Sequence, residues 1–165
     1  MNSERENIIS ILNGIPDPEV PVLTINDLGI VREVNILSAG RSVEVKITPT
    51  YSGCPAMEMI AANIKVALLR NGYKEVIITK ILSPVWTTDW MTEAGKQKLK
   101  SYGIAPPGLT RKRDASVLFA EAVEMQCPQC NSTNTTLISE FGSTACKALY
   151  RCNDCGEPFD HFKCH

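Results

Sequence analysis

Alternation of apolar and polar residues predicts a β-hairpin early in the chain. Residues 29–37 form one predicted strand, and residues 42–48 form a second in which every other side chain is apolar. Because successive side chains of a strand point to opposite faces, this pattern indicates a hairpin with one buried face and one hydrated face. Residues 38–41 are the predicted turn.

A switch to helical spacing predicts three helices, the second of which carries an apolar stripe that should pack on the sheet. They cover residues 4–13, 55–71 and 92–102. An apolar, β-branched third strand at residues 76–82 follows the second helix. We expect a strand-helix-strand crossover that places this strand inside the sheet.

Two Cys-x-x-Cys pairs near the C-terminus predict a metal site formed by Cys127, Cys130, Cys152 and Cys155. Each pair lets two thiolates from one tight turn hold the same ion, and two such pairs complete the tetrahedral shell of a structural zinc. Because a closed Cys₄ shell has no open coordination position, this zinc is expected to stabilise a fold and to catalyse no reaction.

The chain of 165 residues is long enough for one ordinary domain and one small domain. We predict an α+β fold: a small mixed sheet of about three strands packed by helices, followed by a C-terminal Cys₄ zinc ribbon. The predicted boundaries are 1–105 for the larger domain, 106–116 for a linker rich in Pro and Gly, and 117–165 for the ribbon. Arg111, Lys112 and Arg113 are interpreted as part of the solvated linker.

Charge argues against binding to nucleic acid. The formal net charge is -1, and residues 126–165 contain three basic and four acidic side chains, a balance of -1 (Lys147, Arg151, Lys163; Glu140, Asp154, Glu157, Asp160). Binding dominated by phosphate contacts requires a surplus of positive charge. The polar N-terminal residues contain no signal-peptide or membrane-spanning pattern, so we expect a cytoplasmic protein that binds no membrane.

Cys54 is the candidate for transient chemistry because Pro55 is suited to the first position of the second helix, which makes Cys54 the predicted N-cap. A helix N-terminus stabilises a thiolate, so the pKa of Cys54 is expected to fall below about 8.5. Gly53 is expected to allow close approach of the backbone, with hydroxyls nearby on Thr48, Thr50 and Ser52. The alternative is an inert cysteine that fills space at the junction.

Asp17 and Glu19 lie in a proline-rich loop that could face the same edge of the sheet as Cys54, although capping or plain solvation are the alternatives. A Cys-His dyad would require the C-terminal tail, which carries His161 and His165, to reach Cys54.

Two further cysteines, Cys146 and Cys164, have no assigned partner. They could replace a zinc ligand, although this would break a matched pair. They could also join Cys54 in holding iron or a labile cluster, or they could be small buried residues of the ribbon.

Trp86 and Trp90 are candidates for partner binding, because tryptophan is favoured at interface hot spots. The alternative is that they anchor the core. We expect one of them in the core and the other at the surface.

Three motifs resemble the small α/β domain of iron-sulfur assembly factors of the SufT type, over residues 5–104. They are Asp17-Pro18-Glu19-Val20-Pro21, Asp27-Leu28-Gly29-Ile30-Val31 and Thr50-Tyr51-Ser52-Gly53-Cys54-Pro55. The resemblance implies that Cys54 is the reactive cysteine of such a domain and that Asp17 and Glu19 form its acidic loop.

Residues 84–91 and 139–152 resemble the PaaD family of phenylacetate degradation, which extends the resemblance to nearly the whole chain. This family is encoded with the phenylacetyl-CoA epoxidase, a multicomponent monooxygenase with a di-iron oxygenase and an iron-sulfur flavin reductase. The resemblance implies a non-catalytic maturation factor that helps to install a cluster or iron in those partners, working with the iron-sulfur assembly machinery.

Other interpretations remain open from sequence alone. The protein could be a stable scaffold or adaptor subunit of the epoxidase complex, and it could form a homodimer. A zinc-ribbon nucleic-acid binder is disfavoured by charge. A thiol-redox enzyme is disfavoured because a redox Cys-x-x-Cys needs no second pair.

Overall fold

The computed structural model describes residues 2–38, 42–108 and 125–163, and the chain divides into two compact units, residues 1–95 and 96–165. The division precedes the boundary expected after residue 105. Ala105 belongs with the second unit because its N–H donates to the carbonyl of Asp160 (2.8 Å) and its carbonyl accepts from the N–H of Phe162 (3.0 Å). Residues 39–41 of the predicted turn, most of the predicted linker and the first residues of the predicted ribbon lie outside the described residues.

The first unit contains the three strands and the first two helices expected from sequence, with a short 3₁₀ helix before the third. The elements in order are α1 (Asn2–Asn13), β1 (Val31–Ser38), β2 (Ser42–Ile47), α2 (Ala56–Arg70), β3 (Glu75–Lys80), the 3₁₀ helix (Thr88–Trp90) and α3 (Glu93–Ser101), which continues into the second unit.

The sheet of the first unit is mixed, with the order β1-β2-β3. β2 runs antiparallel to β1, with Val45 opposite Val34, and parallel to β3, with Val45 opposite Ile78. α2 is therefore the predicted crossover helix. The expectation that the third strand lies inside the sheet is wrong: β3 is an edge strand, and its Ile77 is 41% exposed. Its apolar composition does not reflect burial on both faces.

The core of the first unit lies between the sheet and the two helices. Side chains of β2 alternate between buried and partly exposed, as the period of two predicted, and Val43, Val45 and Ile47 are fully buried. α2 buries Ile60, Ile64 and Leu68, and α1 buries Ile8 and Leu12. One buried face on each element is the arrangement of an α+β layer, so the predicted fold class is confirmed.

The loop before β1 fixes the segment that leads to α3. The indole N–H of Trp86 donates to the carbonyl of Leu28 at 2.7 Å, and Trp86 is 1% exposed. The carboxylate of Asp27 accepts from the N–H of Thr24 (3.0 Å) and the hydroxyl of Thr92 (3.1 Å). The Asp27-Leu28-Gly29 motif is therefore a structural clamp on this segment.

The second unit contains a three-stranded antiparallel sheet with the order β4-β5-β6, formed by Thr135–Ser139, Lys147–Cys152 and Pro158–Phe162. Its buried cluster is small and includes two of the predicted metal ligands (Ala105, Met125, Cys127, Cys152 and Phe159). Tyr150 packs against this cluster. A core of this size needs a further source of stability, which a metal supplies in ribbons of this kind.

None of the helices within the described ranges combines the length and the apolar character that a membrane crossing requires.

Gly29 should tolerate no side chain, because its φ is +67° and an added Cβ would lie 2.4 Å from the carbonyl oxygen of Trp90. We expect Gly29→Ala to lower the free energy of unfolding by about 2–4 kcal/mol, as the sum of the backbone penalty and the steric conflict. Gly72→Ala is the matched control: φ is +93° but the space around it is open, so its cost should be about 1 kcal/mol. Urea titration of both variants measures the difference, and equal losses would contradict the clamp.

Candidate metal sites

The first Cys-x-x-Cys pair forms a tight turn closed by backbone hydrogen bonds. The N–H of Cys127 donates to the carbonyl of Ser132 at 2.9 Å, and the N–H of Asn131 donates to the carbonyl of Cys127 at 2.9 Å. Asn131, which follows Cys130, has φ of +60°. This left-handed residue turns the chain back after the second thiol, and asparagine tolerates that conformation better than most residues.

The second pair repeats the same backbone geometry. The N–H of Cys152 donates to the carbonyl of Glu157 at 2.9 Å, and the N–H of Gly156 donates to the carbonyl of Cys152 at 3.0 Å. Gly156, which follows Cys155, has φ of +78°. The residues that follow the two pairs, Asn131 and Gly156, were not among the residues predicted to matter. The sequence does contain a signal for them, because asparagine and glycine both tolerate positive φ and stand at the same position after each pair.

The four sulfurs are arranged as the ligands of one ion. The Cys127 and Cys155 sulfurs are 3.8 Å apart, the Cys130 and Cys152 sulfurs are 3.5 Å apart, and all four lie within 4.8 Å of one another. A tetrahedral zinc with Zn–S bonds of about 2.3 Å requires sulfurs about 3.8 Å apart. The four residues therefore fit a structural zinc, which would occupy a closed thiolate shell and hold the two turns together.

The pKa values of the cysteines also indicate that the cluster binds a cation. The N–H of Cys155 stabilises the thiolate of Cys152 and lowers its pKa to about 7. The N–H of Ser132 likewise favours the thiolate of Cys130, but the neighbouring thiols, Cys152 first, raise the pKa of Cys130 to about 12. Once one sulfur is ionised, the next resists ionisation. A bound cation removes this conflict.

Polar side chains connect the two turns outside the sulfur shell. Asp154, in the second turn, accepts hydrogen bonds from the hydroxyl of Ser132 and from the amide of Asn134 (2.7 Å). These two bonds lower the pKa of Asp154. Asn153 donates to Asn134 at 2.9 Å. This hydrogen-bond network orients both turns. It could have been predicted from the short polar residues that cluster around the cysteines in the sequence.

Cys54 was predicted to be the N-cap residue of α2, but it lies one residue before the N-cap. Pro55 is the cap residue of α2, and the N–H of Cys54 donates to the carbonyl of Tyr51 at 3.2 Å. Cys54 is partly buried, and burial raises the pKa of its thiol even though the N–H of Ala56 lowers it. The carboxylate of Glu19 raises the pKa further and that of Asp17 adds a smaller effect. The expectation of a lowered pKa is therefore wrong.

Asp17 and Glu19 lie close enough to Cys54 to act on its ionisation, as the sequence suggested. Asp17 is 6% exposed, and its carboxylate accepts from the N–H groups of Glu19 (2.9 Å) and Val20 (2.8 Å). Asp17 thus caps its own loop. Glu19 is more exposed than Asp17, and its carboxylate is the larger electrostatic influence on Cys54.

The other residues around Cys54 differ in part from expectation. Gly53 has φ of +81° and open space where a Cβ would stand, so the turn requires glycine for its backbone conformation and not for close approach. Thr48 and Thr50 are buried, whereas Ser52 is exposed. Within the described residues, the buried hydroxyl of Thr48 has no hydrogen-bond partner.

Cys146 is not part of the sulfur cluster. It is 3% exposed, and its sulfur is 3.1 Å from the hydroxyl of Thr144. The idea that it replaces a zinc ligand is wrong, because the four paired cysteines already complete the shell. A site shared by Cys146 and Cys54 stays a prediction. Cys164 lies outside the described residues.

The histidines do not suggest a catalytic dyad. Burial lowers the pKa of His161 to about 4, and its Nδ1 lies 3.2 Å from the carbonyl oxygen of Ala105. His161 therefore packs within the second unit as a neutral ring. His165 lies outside the described residues.

The two tryptophans differ in exposure. Trp86 is a core residue, so its proposed role in partner binding is wrong: a side chain that is 1% exposed offers no docking surface. Trp90 is partly exposed, and the guanidinium of Arg32 lies 3.5 Å from its ring centroid. Trp90 remains a candidate for contact with a partner.

Removing one ligand should empty the four-sulfur site. We expect the unchanged protein to hold about one metal ion, and Cys127→Ser or Cys152→Ser to weaken affinity more than ~100-fold. Elemental analysis after dialysis against a chelator, with far-UV circular dichroism of the ribbon, measures the loss. Cys146→Ala is the matched control and should keep its metal. Retention of metal by both serine variants would contradict the assignment.

The pKa of Cys54 should respond to Glu19. Glu19→Gln removes a negative charge near the sulfur, which favours the thiolate and lowers the pKa. Alkylation of Cys54 by iodoacetamide, followed by peptide mass spectrometry, should reach half its maximal rate at lower pH in this variant than in the unchanged protein. Glu75→Gln, on the edge strand β3, is the control and should have no effect. A midpoint that does not move in Glu19→Gln would contradict the geometry.

Family models match both parts of the chain. A model described as "Iron-sulfur cluster assembly protein" matches residues 5–76, and one described as "PaaD zinc beta ribbon domain" matches residues 111–163. The first includes the Asp17 loop and Cys54, and the second includes all four cysteines of the sulfur cluster.

Individual relatives agree with these models. An Escherichia coli (strain K12) protein, named as one subunit of a "Putative 1,2-phenylacetyl-CoA epoxidase", is 52% identical over 95% of this chain and 91% of its own length. The mouse "Cytosolic iron-sulfur assembly component 2B" is 36% identical over 41% of this chain and 42% of its own length.

A solved structure supports the fold of the first unit. The domain of unknown function DUF59 from Bacillus anthracis has a TM-score of 0.55 and 24% identity, over 59% of this chain and 92% of its own. At that identity, the likeness extends to the fold alone. From the match along nearly its whole length, the chain belongs to the PaaD family of phenylacetyl-CoA epoxidase subunits, in which an iron-sulfur assembly domain precedes a zinc ribbon.

Proposed function

We propose that this protein is a cytoplasmic maturation factor for a phenylacetyl-CoA epoxidase of the multicomponent monooxygenase type. Its role is to help insert an iron-sulfur cluster into the reductase subunit, or iron into the oxygenase subunit. It works with the iron-sulfur assembly machinery and is not itself a catalyst. The assembly domain joined to a PaaD zinc ribbon is the observation that carries this proposal.

The electrostatics around Cys54 support a cation as its ligand. Burial and the carboxylates of Glu19 and Asp17 raise the pKa of the thiol, so Cys54 is protonated at neutral pH. A protonated thiol is a poor nucleophile, which argues against a thiol enzyme. The same negative potential attracts iron, and binding would release the proton from the sulfur. Among the described residues, only the four ribbon cysteines are gathered closely enough to form a ready-made metal site, so the thiol of Cys54 with these carboxylates would hold transient cargo weakly.

The ribbon supports the non-catalytic part of the proposal. Four thiolates leave a tetrahedral zinc no position for substrate or water, so the metal we assign there is structural. Zinc is favoured over iron because the site lies in a zinc-ribbon family, whereas four sulfur ligands alone suit either metal. The negative balance of the ribbon disfavours a nucleic-acid partner.

An adaptor role is the second candidate, and it follows if the proton on Cys54 outcompetes the metal for the sulfur. A thiol that keeps its proton until a strong cation competes for the sulfur could remain unused. In that case the protein would stay in the epoxidase complex and bring assembly proteins to their client. No metal would pass through Cys54.

Metal transfer distinguishes the two functions. We expect anaerobically purified protein to carry about one zinc in the ribbon and, after reconstitution, iron with acid-labile sulfide. Cys54→Ser should keep the zinc and lose most of the iron and sulfide. Incubation with the cognate apo-reductase should move iron and sulfide from the unchanged protein to the reductase. Elemental analysis, sulfide assay and visible absorption measure the transfer.

Cys146→Ala is the matched control for the loss of a thiol outside the site, and it also tests whether Cys146 shares cargo with Cys54. Iron loading that is equal in the unchanged protein and Cys54→Ser would refute the carrier function. If zinc alone were bound under every condition while the reductase still copurified, the adaptor function would replace it.

A further inference from the structure

The outer edge of β1 is open in the part of the chain that the structure describes. β1 pairs with β2 on one side, with Asn35 opposite Glu44 and Ile36 opposite Val43. In that same part, no backbone hydrogen bond joins residues 31–37 to any segment other than β2. An open edge carries a row of unused donors and acceptors, which is the requirement for adding a strand from another chain.

A groove lies between this edge and α1. Its volume is about 270 Å³, and α1 lines it with Arg5, Ile9 and Asn13, which follow one another on a single helical face. Residues 31–34 line the opposite side. Ile9 is 39% exposed and provides an apolar surface. A groove between a helix and an edge strand can hold an extended peptide whose alternate side chains face the helix.

The charge of the groove favours an acidic occupant. Glu33 is the single acidic residue among those lining it, and Lys46 neutralises Glu33 at 2.8 Å. Arg5 and Arg32 are left as positive charges. The Arg32 guanidinium is held over Trp90, 3.5 Å from the ring centroid, and its Nη1 lies 3.5 Å from the carbonyl oxygen of Gly29. A preorganised arginine loses less side-chain entropy when it binds a carboxylate.

We propose that an extended, acidic segment of a partner protein docks in this groove as an additional strand on β1. Its main chain pairs with residues 31–37, its aliphatic side chains contact Ile9, and its carboxylates contact Arg5 and Arg32. A second copy of this chain fits less well, because pairing two β1 edges would bring the arginines of both copies to one seam. Cys54 does not line the groove, and this proposal stands whether or not Cys54 carries iron.

The test uses the full-length protein and a capped, fluorescein-labelled peptide, Val-Ser-Glu-Ser-Val-Ser-Glu. Fluorescence anisotropy measures its affinity, and ¹⁵N spectra locate it. We expect saturable binding with shift changes concentrated in residues 31–37, and about tenfold weaker binding for Arg5→Glu and Arg32→Glu. Arg70→Glu, on the exposed side of α2, is the control and should bind as the unchanged protein does. Circular dichroism verifies that each variant is folded.

Two matched peptides separate strand addition from simple charge attraction. A peptide methylated at alternate backbone nitrogens cannot complete the main-chain pairing, and a peptide with lysine in place of glutamate reverses the charge. Both should bind at least about tenfold more weakly. Equal binding of the methylated peptide, or unchanged affinity in both arginine variants, would overturn the proposal. A mass that doubles with concentration, together with shift changes in residues 31–37 without peptide, would assign the edge to a second copy and also overturn it.

Discussion

Negative charges held close together oppose one another, and this constraint governs the ionisation of the ribbon cysteines and of Cys54. In the ribbon, four sulfurs lie within 4.8 Å of one another, and each ionised sulfur opposes ionisation of the next. Around Cys54, burial and two carboxylates keep the thiol protonated for the same electrostatic reason. A metal ion bound by the four sulfurs would remove this conflict in the ribbon. Cys54 instead keeps its proton at neutral pH.

The ribbon depends on its sulfur shell because Cys127 and Cys152 belong to its small buried cluster. The two turns share one backbone design, in which the residue after each second cysteine has positive φ. Hydrogen bonds from Ser132 and Asn134 to Asp154 then join the turns directly. The backbone, the polar network and a metal bound by the four sulfurs would therefore act on the same few residues and stabilise the sheet behind them.

Local patterns in the sequence correctly predicted the elements that place one apolar face on the core. The alternation in β2 and the stripe of α2 reported burial correctly, because each element has one face on the core. The spacing of the four cysteines correctly predicted which sulfurs meet. The edge position of β3 was not visible, because strand order depends on pairing between distant segments and not on composition. The clamp formed by Asp27, Gly29 and Trp86 was equally non-local.

The ionisation of Cys54 shows how a local argument can give the wrong sign. A thiol near a helix N-terminus is expected to ionise easily, and the N–H of Ala56 does lower its pKa. Burial and a loop more than thirty residues earlier, which carries Glu19, outweigh that effect.

The protonation of Cys54 matters for the proposed function. A permanently ionised thiol would react with any electrophile or hold soft metals tightly, whereas a protonated thiol beside carboxylates binds a cation only by giving up a proton. If Cys54 carries cargo as proposed, release would need reprotonation of one sulfur, whereas a ribbon metal would be held by four thiolates. This difference in the number of bonds would separate exchangeable cargo from a permanent structural ion within one chain.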